Sequence, residues 1–259
     1  MREVENAGRS PARGKRKRKR RLSKLAYTLM FFVVVLIAAV VCSAVFIKVE
    51  TVTVTGISPY SGAQIIRASG IKKGTSLFSL KKDAITKNLC AALPYIQSAT
   101  IKIQIPTTVK IDVTQDRLQY LFVIGKRYAY ADGQLKGLEL RAGPRNDKGV
   151  ITVTGAQISA FQAGAPVAFK TRTQASLIQT LMSDIRAAKL TGVTSMNVTD
   201  NYELSVLYDN RITILIGTPN GADDKLKAAG KIISQTLKSE DRGTLDVSAQ
   251  NKWYVFSPD

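Results

Sequence analysis

The sequence predicts an α+β protein: a single N-terminal transmembrane helix, then a small β-α-α-β-β domain, then a second mixed domain of sheet plus helices. Three observations lead there. Leu25 to Ile47 is an uninterrupted apolar run without a charge, which as a helix rising about 1.5 Å per residue crosses a hydrocarbon core of roughly 30 Å. The next segment switches from period-two alternation to two amphipathic helical stretches and back to alternation, the order of one sheet with helices on one face. Beyond residue 117 short alternating segments dominate, broken by two longer helical patterns. The expected boundaries are therefore a disordered basic tail at 1–24, a membrane helix at 25–47, a first domain at 48–117 and a second at 118–259.

The apolar run reads as a retained anchor. A core helix rarely has a fully apolar circumference over this length. A signal peptide has an apolar region of only about 7–15 residues before its cleavage site, whereas Phe46 and Ile47 carry this run past Ser43-Ala44. Before it stand Lys15, Arg16, Lys17, Arg18, Lys19, Arg20 and Arg21, with Lys24 at the edge. Positive residues beside a span stay on the cytoplasmic side, so residues beyond Ile47 are expected outside. Residues 1–24 hold 11 Lys/Arg against two Glu, nine of the +19 net charge. Next to a span, such a block fits the bilayer's anionic headgroups better than a nucleic acid. The apolar helix has no Gly-x-x-x-Gly face for lateral packing.

In the first domain, Glu50 to Thr55 alternates as a strand and Gly56 and Pro59 end it. Ser61 and Gln64 have capping-box spacing, Ile65, Ile66 and Ala68 supply an apolar face, and Gly70 suits the left-handed C′ position. A second helix from about Leu80 lines up Ile85, Leu89, Ala92 and Leu93 and stops at Pro94. Ile96–Ile105 and Thr107–Thr114 then form a hairpin around Pro106-Thr107, with Ile101, Ile103 and Ile105 on one face and Val109, Ile111 and Val113 inward on the partner strand.

In the second domain, Leu118–Ile124 and Arg127–Ala131 read as strands hinged at Gly125-Lys126, residues 141–149 as a loop, and Val150–Thr154 as a strand. A helix from Thr173 to Lys189 presents Leu177, Leu181 and Ile185, with Gly192 ending it. Strands follow at Val193–Val198, and at Glu203–Tyr208 paired with Arg211–Ile216 across Asp209-Asn210. A helix at Asp223–Leu237 carries Leu226, Ala229, Ile233 and Leu237, with Asp223 and Asp224 favoured by the dipole in its first turn. Gly243–Val247 and Trp253–Phe256 are the closing strands.

The order Val52-x-Val54-x-Gly56, Gly74-x-x-Leu77-Phe78, Leu93-Pro94-Tyr95-Ile96, Ala99-x-Ile101 and Ile105-Pro106-x-Thr108-Val109-x-Ile111-x-Val113 resembles a POTRA domain of the FtsQ/DivIB type over about 49–117. Tyr130-Ala131-Asp132-Gly133, with Gly137 for a second glycine, is similar to that family's Tyr-x-Asp-x-x-Gly stretch. The resemblance implies a non-enzymatic scaffold of bacterial cell division at the septum. Its late strands would receive small single-span partners of the FtsB/DivIC and FtsL kinds, and its POTRA module would serve recruitment. The stretch expected to bind partners is Thr244, Leu245, Asp246 and Val247 with Trp253, Tyr254, Val255 and Phe256, because a terminal strand leaves a sheet edge. The rival reading is an export or assembly factor whose POTRA module chaperones translocated chains.

No catalytic constellation is legible. There is no histidine, which removes the commonest general base and zinc ligand. Asp112, Asp116, Asp132, Glu139, Asp147, Asp184, Asp200, Glu203 and Asp209 are scattered, and Asp112 with Asp116 reads as a strand end rather than a catalytic pair. No phosphate-binding glycine loop or metal cluster occurs, so no cofactor is expected. Cys42 lies in the apolar run and Cys90 on an apolar helix face, where a small hydrophobe suits.

Overall fold

The structure, a computed structural model, describes residues 24–145, 147–249 and 253–259. The basic block at Lys15–Arg21 and the tail reading lie outside these residues. The described residues fall into two units, 24–47 and 48–259. In the first, helix α1 runs Lys24–Phe46, so Lys24 opens the helix rather than closing the tail, and Thr28 donates its hydroxyl to the Lys24 carbonyl at 2.7 Å. Leu29, Met30, Phe31, Phe32 and Leu36 are all exposed. Side chains are described for 24 and 26–38; residues 26–38 cover roughly 20 Å of helix axis. Among the described residues no helix is long and apolar enough to cross a membrane.

The second unit holds two sheets. The smaller is built from β1 (Thr51–Gly56), β2 (Ile96–Gln104) and β3 (Thr108–Gln115). Its order is β1-β3-β2, with β1 parallel and β2 antiparallel to β3. Helices α2 (Gly62–Ser69) and α3 (Lys82–Ala92) cover it. The capping box at α2 forms in full: Gln64 N–H donates to Ser61 Oγ and Ser61 N–H to Gln64 Oε1, while Gly70 takes φ 69°. Ile65, Ile85, Leu89, Ile96, Ile101, Val109, Ile111 and Val113 make this module's core. Two expected inward positions differ. Ile105 is exposed because β2 ends at Gln104, and Ala92 is exposed at the last turn of α3.

The larger sheet has nine strands in the order β14-β13-β12-β11-β10-β7-β4-β5-β6. These are β4 (Tyr120–Ile124), β5 (Arg127–Ala131), β6 (Gly137–Arg141), β7 (Ile151–Thr154), β10 (Val193–Asn197), β11 (Leu204–Tyr208), β12 (Ile212–Gly217), β13 (Gly243–Asp246) and β14 (Val255–Pro258). A small hairpin, β8 (Ile158–Ala160) with β9 (Ala168–Phe169), was not expected; its strands are too short to show a period. Helices α4 (Arg172–Ala187) and α5 (Ala222–Gln235) pack on each other, and Ile178, Leu181, Ile185, Leu226, Ala229 and Ile233 close the core over Met196, Val206, Ile212, Ile214 and Ile216.

Three local expectations are corrected or sharpened. Ile178, not Leu177, is the buried residue on α4, since the helix is rotated so that 178, 181 and 185 share the inner face. Helix α4 ends at Ala187, with Lys189 at φ 58°, so the chain turns before Gly192. Asp209 and Asn210 both take positive φ, 49° and 53°, the two-residue turn whose twist matches the flanking strands. Lys225, buried on α5, is satisfied by donating from Nζ to the Ile216 carbonyl at 2.9 Å. Ile214 sits at 0% exposure in the centre of the large sheet. Replacing Ile214 by Ala is expected to lower the unfolding free energy by about 2–5 kcal/mol, read by denaturant titration, whereas exposed Val123→Ala should change it little.

Candidate functional site: a free sheet edge and a buried junction

The closing strands do not share one role. β13 lies between β12, to which it is parallel, and β14, to which it is antiparallel. Leu245 and Val247 therefore point into the core, at 1% and 0% exposure, and Val247 N–H donates to the Leu215 carbonyl at 2.9 Å. Of the residues expected to meet a partner, these two are packing residues. Thr244, Asp246, Tyr254 and Phe256 are half-buried, while Trp253 and Val255 are exposed. The Asp246 carboxylate accepts from Ser248 N–H at 2.8 Å, which shapes the exit from β13.

Among the described residues, the strand at this end of the sheet with no further neighbour is β14. Asp259 N–H donates to the Arg242 carbonyl at 3.1 Å. Alternation in an antiparallel pair then turns the amides of Ser257 and Val255 toward β13 and that of Phe256 away from it. Pro258, on the outward phase, has no N–H to offer and limits how far a pairing strand can run. Gly243 makes this edge possible. Its φ is 148°, and a Cβ there would meet the Ser257 carbonyl oxygen at 2.2 Å and Pro258 Cα at 2.8 Å. The opposite edge is capped at its first residue: Gly137 N–H donates to the Ala165 carbonyl and Gly164 N–H to the Gly137 carbonyl, and the side chain of Arg145 pairs with Glu139 and Asp147 beside it.

A second constellation sits where the two sheets meet. Asp116, in the link between β3 and β4, and Asp132, in the β5–β6 turn, are 4% and 5% exposed. Lys136 Nζ stands 2.7 Å from Asp116 Oδ2, an ion pair that lacks hydrogen-bond alignment, and donates to the Ile96 carbonyl of β2 at 3.0 Å. Asp132 Oδ1 accepts from Gln134 N–H at 2.8 Å and Lys136 N–H at 2.7 Å, and the turn places Leu135 at φ 63°. Burial pushes the Asp132 carboxyl above its ordinary value, and its contact with Asp116 adds to the rise. Nearby, Gly164 lies against Ala91 at the end of α3, so closely that a Cβ would meet the Ala91 oxygen at 2.4 Å. The sequence reading placed Asp116 at a strand end and Asp132 in a turn; it did not single out Lys136, whose reach across 40 residues leaves no local pattern.

Asp112 has a structural occupation: it accepts from Thr55 and pairs with Lys102. Tyr130, fully buried, accepts from Arg145 N–H through its hydroxyl. The Cys90 thiol is pushed up by burial, which disfavours the nucleophilic thiolate. Among the described residues no group of three or more His, Cys, Asp or Glu is placed to hold a metal ion.

Residues 47–115, which hold the three-stranded sheet and its two helices, match the POTRA domain, FtsQ-type, family. The chain is 25% identical over 205 residues to the cell division protein DivIB of Clostridium acetobutylicum, covering 78% of this chain and 80% of that one. DivIB of Clostridium tetani is 24% identical over 214 residues, 82% of this chain and 80% of the relative. The chain thus carries an FtsQ-type POTRA domain and is similar to these DivIB proteins over most of its length. The cell division protein FtsQ of Corynebacterium glutamicum shares 33% identity over a shorter stretch of 86 residues, 32% of this chain and 38% of that protein. The similarity to the two DivIB proteins is longer than the POTRA module and so reaches into the large sheet. Gly243→Ala is expected to strain the backbone by about 1–3 kcal/mol and to lift β14 from β13. Hydrogen exchange should show lost protection at Val255 and Ser257 with β11 and β12 still protected.

Proposed function

We propose that the protein is a non-enzymatic, single-pass membrane scaffold of the bacterial division machinery. Helix α1 anchors it with the basic block Lys15–Arg21 and Lys24 in the cytoplasm against anionic headgroups, and residues 48–259 face the outside, at the division septum. There the free edge of β14 receives an extended strand from a small single-span division protein of the FtsB/DivIC or FtsL kind and helps link septal wall synthesis to division. The carrying observation is that Phe256 offers an outward amide on a terminal strand of the large sheet, whose opposite edge is capped at Gly137. The names of the similar proteins support the division role. The exposed Leu29, Phe31, Phe32 and Leu36 of α1 support burial in an apolar medium.

Strand addition depends on backbone groups, so a backbone test separates it from side-chain contact. Phe256→Pro removes the outward donor while leaving the β13–β14 bonds at Val255 and Ser257. Titrated with the purified outer segment of a DivIC-like protein, Phe256→Pro should bind at least about tenfold more weakly, a loss of about 1.4 kcal/mol or more, and Phe256→Ala should retain most of the affinity. Equal affinity of Phe256→Pro and the parent would remove β14 as the docking edge. Comparable binding of an unfolded exported polypeptide, insensitive to this change, would favour the chaperone reading. For topology, a periplasm-type reporter enzyme fused after Asp259 is expected to be active, and to lose most of that activity when Lys15–Arg21 are replaced by Ala and positive residues are placed after Ile47.

A further inference from the structure

We propose that the end of the POTRA module where β1 begins is a lipid-contact surface that rests on anionic headgroups, with Ile105 and Phe78 as its apolar anchors. The inference rests on the reading of α1 as a membrane anchor and adds a second, peripheral contact made by the outer unit. Two exposures motivate it. Ile105 is 70% exposed and Phe78 60% exposed, although the module's core lies beside both. Ile105 follows the last residue of β2, and Phe78 lies in a single 3-10 turn, Leu77–Ser79, whose Leu77 is fully buried.

Hydrogen bonds put both residues at the same end. Val49 N–H donates to the Thr75 carbonyl and Gly74 N–H to the Val49 carbonyl, each at 2.8 Å, while Glu50 N–H donates to the Thr107 carbonyl at 2.9 Å. The entry to β1 is thus held between residues 74–75 on one side and the β2–β3 hairpin tip on the other. Helix α3 runs against β2, with Thr86 Oγ1 donating to the Ala99 carbonyl and Cys90 Sγ to the Gln97 carbonyl, so its first residues lie at this end too. Lys48 bridges Ser76, and only Ile47 stands between it and Phe46, the last residue of α1. One extended residue spans at most about 3.6 Å. A module tethered this closely to a spanning helix keeps this end at the bilayer surface whatever angle it adopts.

Charge complements the apolar pair. Lys72, Lys73, Lys81 and Lys82 are all exposed, and among the described residues none of them enters an ion pair. Lys48 adds a further cation, against the carboxylates of Glu50 and Asp83. Lys81 occupies the N-cap of α3 without a side-chain hydrogen bond to the first turn, and Lys82 is the first helical residue. Two cations therefore stand where the helix dipole favours anions, an arrangement that headgroup phosphates complete. Lysine stems lie along apolar surface with their ammonium groups among headgroups, and apolar side chains enter the boundary between headgroups and acyl chains. The short tether makes the contact intramolecular, so a modest intrinsic affinity is enough.

The test uses the full chain with Cys42→Ala and Cys90→Ala and a fluorophore at Gln104→Cys or, for comparison, at Lys126→Cys in the β4–β5 turn. The chain is reconstituted into vesicles of phosphatidylcholine and phosphatidylglycerol that carry a nitroxide-headgroup lipid, and flotation reads anchoring separately. The nitroxide should quench the label at Gln104 and leave that at Lys126 bright. Quenching should be lost with Phe78→Ser and Ile105→Ser combined, and again with Lys72→Glu, Lys73→Glu, Lys81→Glu and Lys82→Glu combined. All six side chains are exposed, so circular dichroism should show both variants folded. Vesicles of phosphatidylcholine alone should still float the chain but weaken the quenching. A floating chain whose Gln104 label stays bright, or stays quenched in both variants, overturns the lipid contact alone. A chain that fails to float overturns the anchor reading and the contact with it. A Gln104 label bright in lipid vesicles but shielded from an aqueous quencher in native membranes assigns this face to a protein instead.

Discussion

Every backbone N–H and C=O in a sheet needs a partner, and an open sheet of nine strands leaves two unpaired rows however well its interior is packed. Much of the outer unit is arranged around that constraint. One row, on β6, is covered where residues 164–166 fold back onto Gly137 and is flanked by Glu139, Arg145 and Asp147. The other, on β14, keeps the outward amide of Phe256 with exposed Trp253 and Val255 beside it. Pro258 sets its far limit. The asymmetry between a guarded edge and an open one is what singles out the C-terminal strand.

Among the described residues the two sheets share no hydrogen-bonded ladder. Their union rests on a few long-range contacts: Lys136 to Ile96 and Asp116, Gly164 against Ala91, and Arg145 near the Tyr95 hydroxyl. Such a joint buries polar groups instead of a broad apolar face. Its geometry is therefore sensitive to charge, because a buried carboxylate without full compensation costs far more than an exposed one.

The absence of histidine shapes how the carboxylates are used. Asp112, Asp132, Asp147 and Asp209 each serve a turn, a strand pair or an ion pair, and each is accounted for by a neighbour within its own part of the fold. What remains for interaction is backbone and apolar surface.

Much of the architecture was legible because its causes are local. The α2 capping box, Gly70, the Asp209-Asn210 turn, the alternation of Val109, Ile111 and Val113, and the apolar run of α1 are all written within a few residues of where they act. The errors share the opposite property. Ile178 replaces Leu177 because packing against α5 sets the rotation of α4. Leu245 and Val247 are core residues because β14 folds back over β13. Lys136 has no signal at all, since its partners lie 20 and 40 residues away. Amino-acid order determined which segments are helices, strands and turns, through propensity, capping and period. Which strand is left at the edge, and which buried charges face each other, is a matter of strand order and docking, and only the tertiary structure decides it, because those contacts join residues that no local spacing relates.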